Sequence, residues 1–148
     1  MENRNETDTV HTRAAQAGDA EAMLACDVYA QAHASRGDAV GAAVGKGHCQ
    51  VAIHAGQVAG YVLTHDDFFG YAFVSLVVVA SGQQRRGVGL RLLAAAEDAC
   101  TTPKLFTSTN ASNLAAQQLF ARAGFVRSGQ IDHLDEGDPE LVYMKWCR

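Results

Sequence analysis

Three features of the chain predict a single α/β domain: a run of β-branched residues that passes through two glycines into a helix-forming run, a second amphipathic segment closed by glycine, and a length of 148 residues without repeat, linker or low-complexity tract. That length can bury a sizeable core. A hydrophobic fraction of 48% with a formal net charge of −4 describes an ordinary soluble protein. No run of apolar residues approaches the ~18 to 20 that a membrane span needs. The polar start Met1 to Asp8 lacks the apolar stretch of a secretion signal, so a cytoplasmic location with no membrane partner is expected. Cys26, Cys49, Cys100 and Cys147 lack Cys-x-x-Cys spacing and read as reduced, structural thiols. Mild acidity without a basic cluster argues against nucleic acid as a partner.

Val10 to Ala15 reads as the first strand, and Asp19 to Tyr29 as a helix with Ala22, Met23, Cys26 and Tyr29 in one stripe. Ala39 to Val44 predicts a short second helix in a span loosened by Gly37, Gly41, Gly45 and Gly47. Cys49 to His54 and Val58 to Thr64 predict strands joined by a tight turn at Ala55, Gly56 and Gln57. The run Val74 to Val79 reads as a buried strand, followed by a helix over Leu90 to Cys100 and a strand over Lys104 to Thr109. After Asn113, residues Ala116, Leu119, Phe120 and Ala123 fall at i, i+3, i+4 and i+7, so one helix face is apolar until Gly124 stops it. Phe125 to Ile131 and Leu141 to Trp146 close the chain as strands. The predicted order is β, α, α, β, β, β, α, β, α, β, β.

The chemistry concentrates at Gln84, Arg85, Arg86, Gly87, Val88 and Gly89, between the β-branched run and its helix. A strand that turns through glycines into a helix start leaves backbone N–H groups pointing outward at the positive end of the helix dipole, which is an anion cradle suited to phosphate. Glycines allow close backbone approach, and the two arginines add positive charge. The Gly-Lys-Ser/Thr ending of the nucleotide-hydrolase loop is absent. The third glycine of a dinucleotide loop is replaced by Leu92. What remains, Gln-Arg-Arg-Gly-Val-Gly, resembles the pyrophosphate motif of the GCN5-related N-acetyltransferases, Gln/Arg-x-x-Gly-x-Gly/Ala. The stretch Asn-Leu-Ala-Ala-Gln-Gln-Leu-Phe-Ala-Arg-Ala-Gly-Phe from Asn113 to Phe125 is similar to a later motif of the same family. Arg13 with Asp19 resembles its opening pattern more weakly. The element order also matches, so the resemblance spans nearly the whole chain.

The resemblance implies a mixed, mostly antiparallel central sheet flanked by helices and splayed between Phe73 to Val79 and Lys104 to Thr109, where an acyl-CoA enters. It implies acetyl-CoA as co-substrate, with pyrophosphate on the backbone of Gln84 to Gly89. It also places pantetheine along Val77, Val78 and Val79, the Val78 N–H on the thioester carbonyl, and Asn113 beside the pantetheine. Phe120 stands where the family often carries a tyrosine that protonates the departing thiolate. Ser108, Phe73 and Ser75 stand where relatives carry a basic glutamate, and all three are expected to line the acceptor groove.

A general base is still needed, because an alkylammonium with a pKa near ~10.4 must lose a proton before attack. The candidates are Asp132, His133, Asp135 and Glu136 in the last hairpin, with Asp138 adding charge to its rim, and His65, Asp66 and Asp67 after the third strand. His65 to Asp67 also reads as a solvated turn, and Asp135 to Pro139 has turn chemistry throughout. His133 and Asp135 are preferred as catalytic groups and Glu136 as an acceptor contact, since a carboxylate-rich rim attracts a cationic amine. His11, His33, His48, His54, His65 and His133 show no paired ligand spacing, so no metal is expected. The expected reaction is direct acetyl transfer to a primary amine of a small molecule or peptide. The alternative is an acyl-CoA-binding regulatory or partner-binding module with reduced catalysis, and a homodimer is among the expected assemblies.

Overall fold

The computed structural model describes residues 9–28, 30, 33, 35–84 and 86–147. Its strands are β1 (His11–Ala14), β2 (Cys49–His54), β3 (Gln57–Phe68), β4 (Tyr71–Val79), β5 (Lys104–Asn110), β6 (Val126–Ile131) and β7 (Glu140–Trp146). Its α-helices include α1 (Ala20–Ala25), α2 (Ser35–Gly45), α3 (Val88–Ala99) and α4 (Leu114–Arg122). One seven-stranded sheet runs in the order β1-β2-β3-β4-β5-β7-β6. Its neighbours are antiparallel except β4 and β5, which run parallel.

The strands bury alternate residues on opposite faces, and the two faces have separate cores. On one face α3 and α4 cover Ala52, Val62, Val74, Leu105 and Tyr143 with Leu92, Leu93 and Phe120. On the other, α1 and α2 contribute Met23 and Val40 to a cluster with Val51, Tyr61 and Leu63. The second core reaches only across the β2 to β4 part of the sheet. At its centre Tyr61, which is fully buried, donates its hydroxyl to Asp27 Oδ2 at 2.8 Å, and Arg36 Nη1 donates to the same oxygen at 2.9 Å. This charge-assisted contact fixes the exit of α1 and the start of α2 on β3.

The first helix is shorter than its apolar stripe predicts. A 3₁₀ turn over Ala17–Asp19 leads into Ala20–Ala25, and tight bonds from Cys26 N–H to Met23 O and from Asp27 N–H to Leu24 O close it as Asp27 turns inward. Tyr29 lies outside the described residues. The third strand is longer than predicted, so His65, Asp66 and Asp67 belong to β3 and not to a solvated turn. Polar side chains mask this continuation, but β4 starts early enough to hold it: His65 pairs with Phe73 and Phe68 with Tyr71, while Asp66 and Asp67 bulge opposite Ala72. The actual turn is Phe69 and Gly70, both at positive φ. The β2–β3 turn falls where expected, with Ala55 at φ 51° and Gly56 at φ 76°, the left-handed pair that a two-residue hairpin loop requires.

Candidate active site

The site begins with an irregularity in β4. Leu76 pairs with Leu63 and Val74 with Thr64, so Ser75 is an extra residue bulged out of the ladder. A bulge reverses which way the following backbone groups point. Val74 O faces β5, where Thr107 Oγ1 donates to it at 3.0 Å. Beyond the bulge, Ala80 N–H donates to Ala59 O of the β3 side, and by strict alternation Val78 also faces β3. The expectation that the Val78 N–H serves a thioester carbonyl is therefore corrected: that amide is directed at Tyr61, and the backbone donors turned away from β3 are those of Val77 and Val79.

They turn toward a gap. The parallel pairing of β4 and β5 extends from Ala72 and Leu105 to Val74 and Thr107 and then stops. Past that point the strands diverge around a cleft of about 200 Å³, lined by residues 74–77 and 107–109 and by Asn113, Ala116, Leu119 and Phe120. This is the splay expected between the two segments.

At the end of β4 the chain turns through Gly82 at φ 83°, with its N–H held by Gln84 Oε1 at 2.9 Å. Gly87, at φ 74°, is the N-cap of α3, and no side chain caps it among the described residues. The first-turn N–H groups therefore face a cavity of about 350 Å³ bordered by Gln83, Gln84, Gly87, Val88, Gly89 and Arg122. The two glycines differ in their reasons. Gly87 supplies a left-handed backbone, and a Cβ there would meet nothing within 4 Å. A Cβ on Gly89 would lie 3.1 Å from both Leu119 methyls, so Gly89 serves the close packing of α3 on α4. Arg86 is exposed beside this loop, and Arg85 lies outside the described residues.

Gln83, which precedes the motif, was not singled out by the sequence. Its Oε1 is buried at the same cavity without a hydrogen-bond partner among the described residues. The uncapped helix start suits an anion, while the orphaned Gln83 oxygen is an acceptor left for a donor group of a polar ligand. An acyl-CoA fits the residues present: the α3 start would hold the pyrophosphate, the open edge of β4 the pantetheine, and the gap the thioester. When bound, it supplies the activated acyl group.

Asn113 is both the N-cap of α4, accepting from Ala116 N–H at 3.1 Å, and a member of the cleft wall. Phe120 is 5% exposed; it borders the cleft and stands edge-on to Tyr143 at 5.4 Å between centroids. Phe73 lies on the face opposite α3, tilted against Phe68 at 4.7 Å. Ser75 and Ser108 both line the cleft.

The last hairpin lies elsewhere. His133 and Glu136 are exposed, and residues 132–137 take no part in the cleft lining. Asp135 Oδ2 accepts from Asn110 Nδ2 at 2.8 Å, while Asp138 accepts from Ser112 N–H at 2.9 Å and from its hydroxyl at 2.6 Å. His133, Asp135 and Glu136, the preferred reacting groups, are thus not brought to the cleft lining: Asp135 and Asp138 instead clamp the hairpin to the β5–α4 connection next to Asn113. His65 stacks on Phe73 at 5.2 Å and pairs with Asp67, and Asp66 lies 3.4 Å from His48, away from the cleft. The carboxylate that does reach a cleft residue is Glu140, whose Oε1 accepts from Ser108 Oγ at 2.7 Å. A glutamate at the start of a strand gave no motif, and the register that brings it to Ser108 could not be read from the chain.

The thiols of Cys26, Cys49 and Cys147 are held protonated. Burial pushes the Cys49 thiol up to about 12, and burial together with hydrogen bonding to Cys100 does the same at Cys147. Cys26 is raised by burial and by Asp27. A thiol held above its ordinary range stays protonated and weakly nucleophilic.

None of the curated proteins matches the chain. An acetyltransferase of the GNAT family from Bacillus cereus superposes with a TM-score of 0.90 at 29% identity, over 95% of this chain and 99% of that one. A protein from Salmonella typhimurium, solved with acetyl-CoA as its cofactor, gives 0.75 at 21% identity over 94% of both chains. An N-acetyltransferase from Staphylococcus aureus gives 0.73 at 18% identity over 95% of this chain and all of that one. The family model for the GNAT acetyltransferases matches residues 13–125, which contain the gap, the glycine loop and α4. The chain belongs to the GNAT, or GCN5-related N-acetyltransferase, family.

Proposed function

We propose that this enzyme moves the acetyl group of acetyl-CoA directly to a primary amine of a small molecule or peptide, within the gap between β4 and β5. The observation that carries this reading is the join between gap and cradle: β4 presents an unpaired backbone edge that ends at an uncapped helix start, which together match an extended thioester arm with an anionic head. The raised thiols of Cys49 and Cys147 favour direct attack over a covalent acyl-enzyme at those positions. Holding amine and thioester together supplies effective molarities of about 10⁵ to 10⁸ M, so the chemistry tolerates a phenylalanine at position 120. A thiolate is already a fair leaving group, and solvent can protonate it. The reading places the enzyme in the cytoplasm, where acetyl-CoA and reduced thiols occur together. All four cysteines are free, in keeping with that compartment.

The test is calorimetric binding of acetyl-CoA, followed by thiol release with a panel of alkylamines, polyamines, amino acids and peptide N termini. Binding with amine-dependent release is expected. A protein that binds acetyl-CoA and transfers it to no member of the panel would instead be an acyl-CoA-binding module.

A further inference from the structure

We propose that Glu140, acting through the Ser108 hydroxyl, is the group that takes the proton from the acceptor ammonium. This inference rests on the reading of the chain as an amine acetyltransferase. The cofactor loop opens α3, so acyl-CoA reaches the gap from the face that α3 and α4 cover. An amine attacking the thioester carbonyl comes from the other side of the sheet. Strand alternation decides which side chains wait there: Leu105, Leu141 and Tyr143 join the core under α3 and α4, so Ser108 and Glu140 project from the opposite face. Their 2.7 Å bond confirms that they share it. Phe106 lies on the same face, 5.1 Å from Phe68, and forms an apolar wall beside the pair.

Ser108 is the only one of the two that borders the cleft directly, so its hydroxyl is the contact and Glu140 the sink. The neighbouring acids in the hairpin are already engaged, Asp135 with Asn110 and Asp138 with Ser112. An alkylamine with a pKa near ~10.4 is unprotonated in only about one molecule in 2,500 at pH 7, so proton removal is a real part of the barrier. The ammonium gives one proton through Ser108 Oγ to Glu140. The nitrogen then attacks the carbonyl carbon, forming the C–N bond, and collapse breaks the C–S bond with its electron pair leaving on sulfur. The second nitrogen proton passes by water to that thiolate, giving CoA, and Glu140 releases its proton to solvent.

The test compares ethylamine with methoxyamine, a nucleophile of the same shape that is already unprotonated at neutral pH. Glu140→Gln keeps an acceptor for Ser108 and removes basicity. It should lower kcat with ethylamine by about 10²-fold and with methoxyamine by less than about threefold, while acetyl-CoA affinity and Tm stay near wild type. Ser108→Ala should show the same selectivity to a smaller degree. Wild-type rates from Glu140→Gln with ethylamine, or equal losses with both nucleophiles, overturn the assignment. So does a wild-type enzyme that acetylates panel amines but neither of these two. Acetyl-CoA binding with no transfer to any panel amine overturns the underlying reading, and this inference with it.

Discussion

The two walls of the cleft are made differently. On the side proposed for the cofactor the wall is backbone: the turned edge of β4 after Ser75, the left-handed Gly87 and the open first turn of α3. On the proposed acceptor side the groups are side chains: Ser108 at the cleft with Glu140 behind it, and Phe73, Phe68 and Phe106 on the same sheet face. Backbone recognition demands particular conformations, which restrict the sequence to glycines at set spacing. Side-chain recognition demands only that residues meet, which many sequences satisfy. One wall can stay constant while the other changes its acceptor.

The largest expected effect breaks the cofactor wall alone. Gly87→Glu forces a side chain into a φ of 74° and aims negative charge at the pyrophosphate position. Acyl-CoA affinity should fall at least about tenfold by calorimetry, the left-handed backbone itself costing about 1–2 kcal/mol. Unchanged affinity would remove the distinction between the walls. Gly89→Ala sharpens it, because the added Cβ presses on Leu119 at 3.1 Å. Chemical denaturation should show a loss of about 1–3 kcal/mol, with affinity for acetyl-CoA little altered once folded.

On the cleft floor, Phe120→Tyr should leave kcat equal or higher, since the ring borders the cleft and gains a hydroxyl there. Loss of folding and CoA binding together would show that the edge-on packing against Tyr143 leaves no room. Asp135→Asn weakens one hydrogen bond between hairpin and β5 and should cost about 1 kcal/mol or less, with the acceptor KM nearly unchanged. A several-fold rise in KM would return the hairpin to the acceptor wall. The smallest effect is expected at the ion pair of Arg13 with Asp19. Hydrogen bonding to Arg13 holds the partly buried Asp19 carboxyl below its ordinary value. A lowered folded pKa means that this contribution is present above the ordinary aspartate range and lost as pH falls through the lowered value. Asp19→Asn should therefore reduce Tm slightly at neutral pH and make no difference in strong acid.

Much of the fold was legible because its elements carry strong local signals. Cys49–His54 was read to its ends from β-branched residues and the Ala55–Gly56 turn, and α4 from its apolar face between Asn113 and Gly124. The continuation of β3 through His65–Asp67 was hidden, since pairing with β4 overrides three polar residues. The glycine loop was legible as a cradle, but the separate duty of Gly89 depends on Leu119, thirty positions later. Val78 was misassigned because the bulge at Ser75 reverses the backbone, and nothing in a run of valines marks it. Glu140 escaped for a related reason: its partnership with Ser108 follows from strand order and register.

The divergence of β4 from β5 leaves an unpaired strand edge in the middle of a sheet, a feature proteins ordinarily confine to the outside and guard against self-association. An acyl-CoA arm laid along it would act as a short surrogate strand, so ligand occupancy and sheet integrity become one property. At a hundred times its dissociation constant, acetyl-CoA would add about 2.7 kcal/mol to the folded state by mass action. The ligand-depleted enzyme should be the form that opens first there in hydrogen exchange, and the form that clumps on storage.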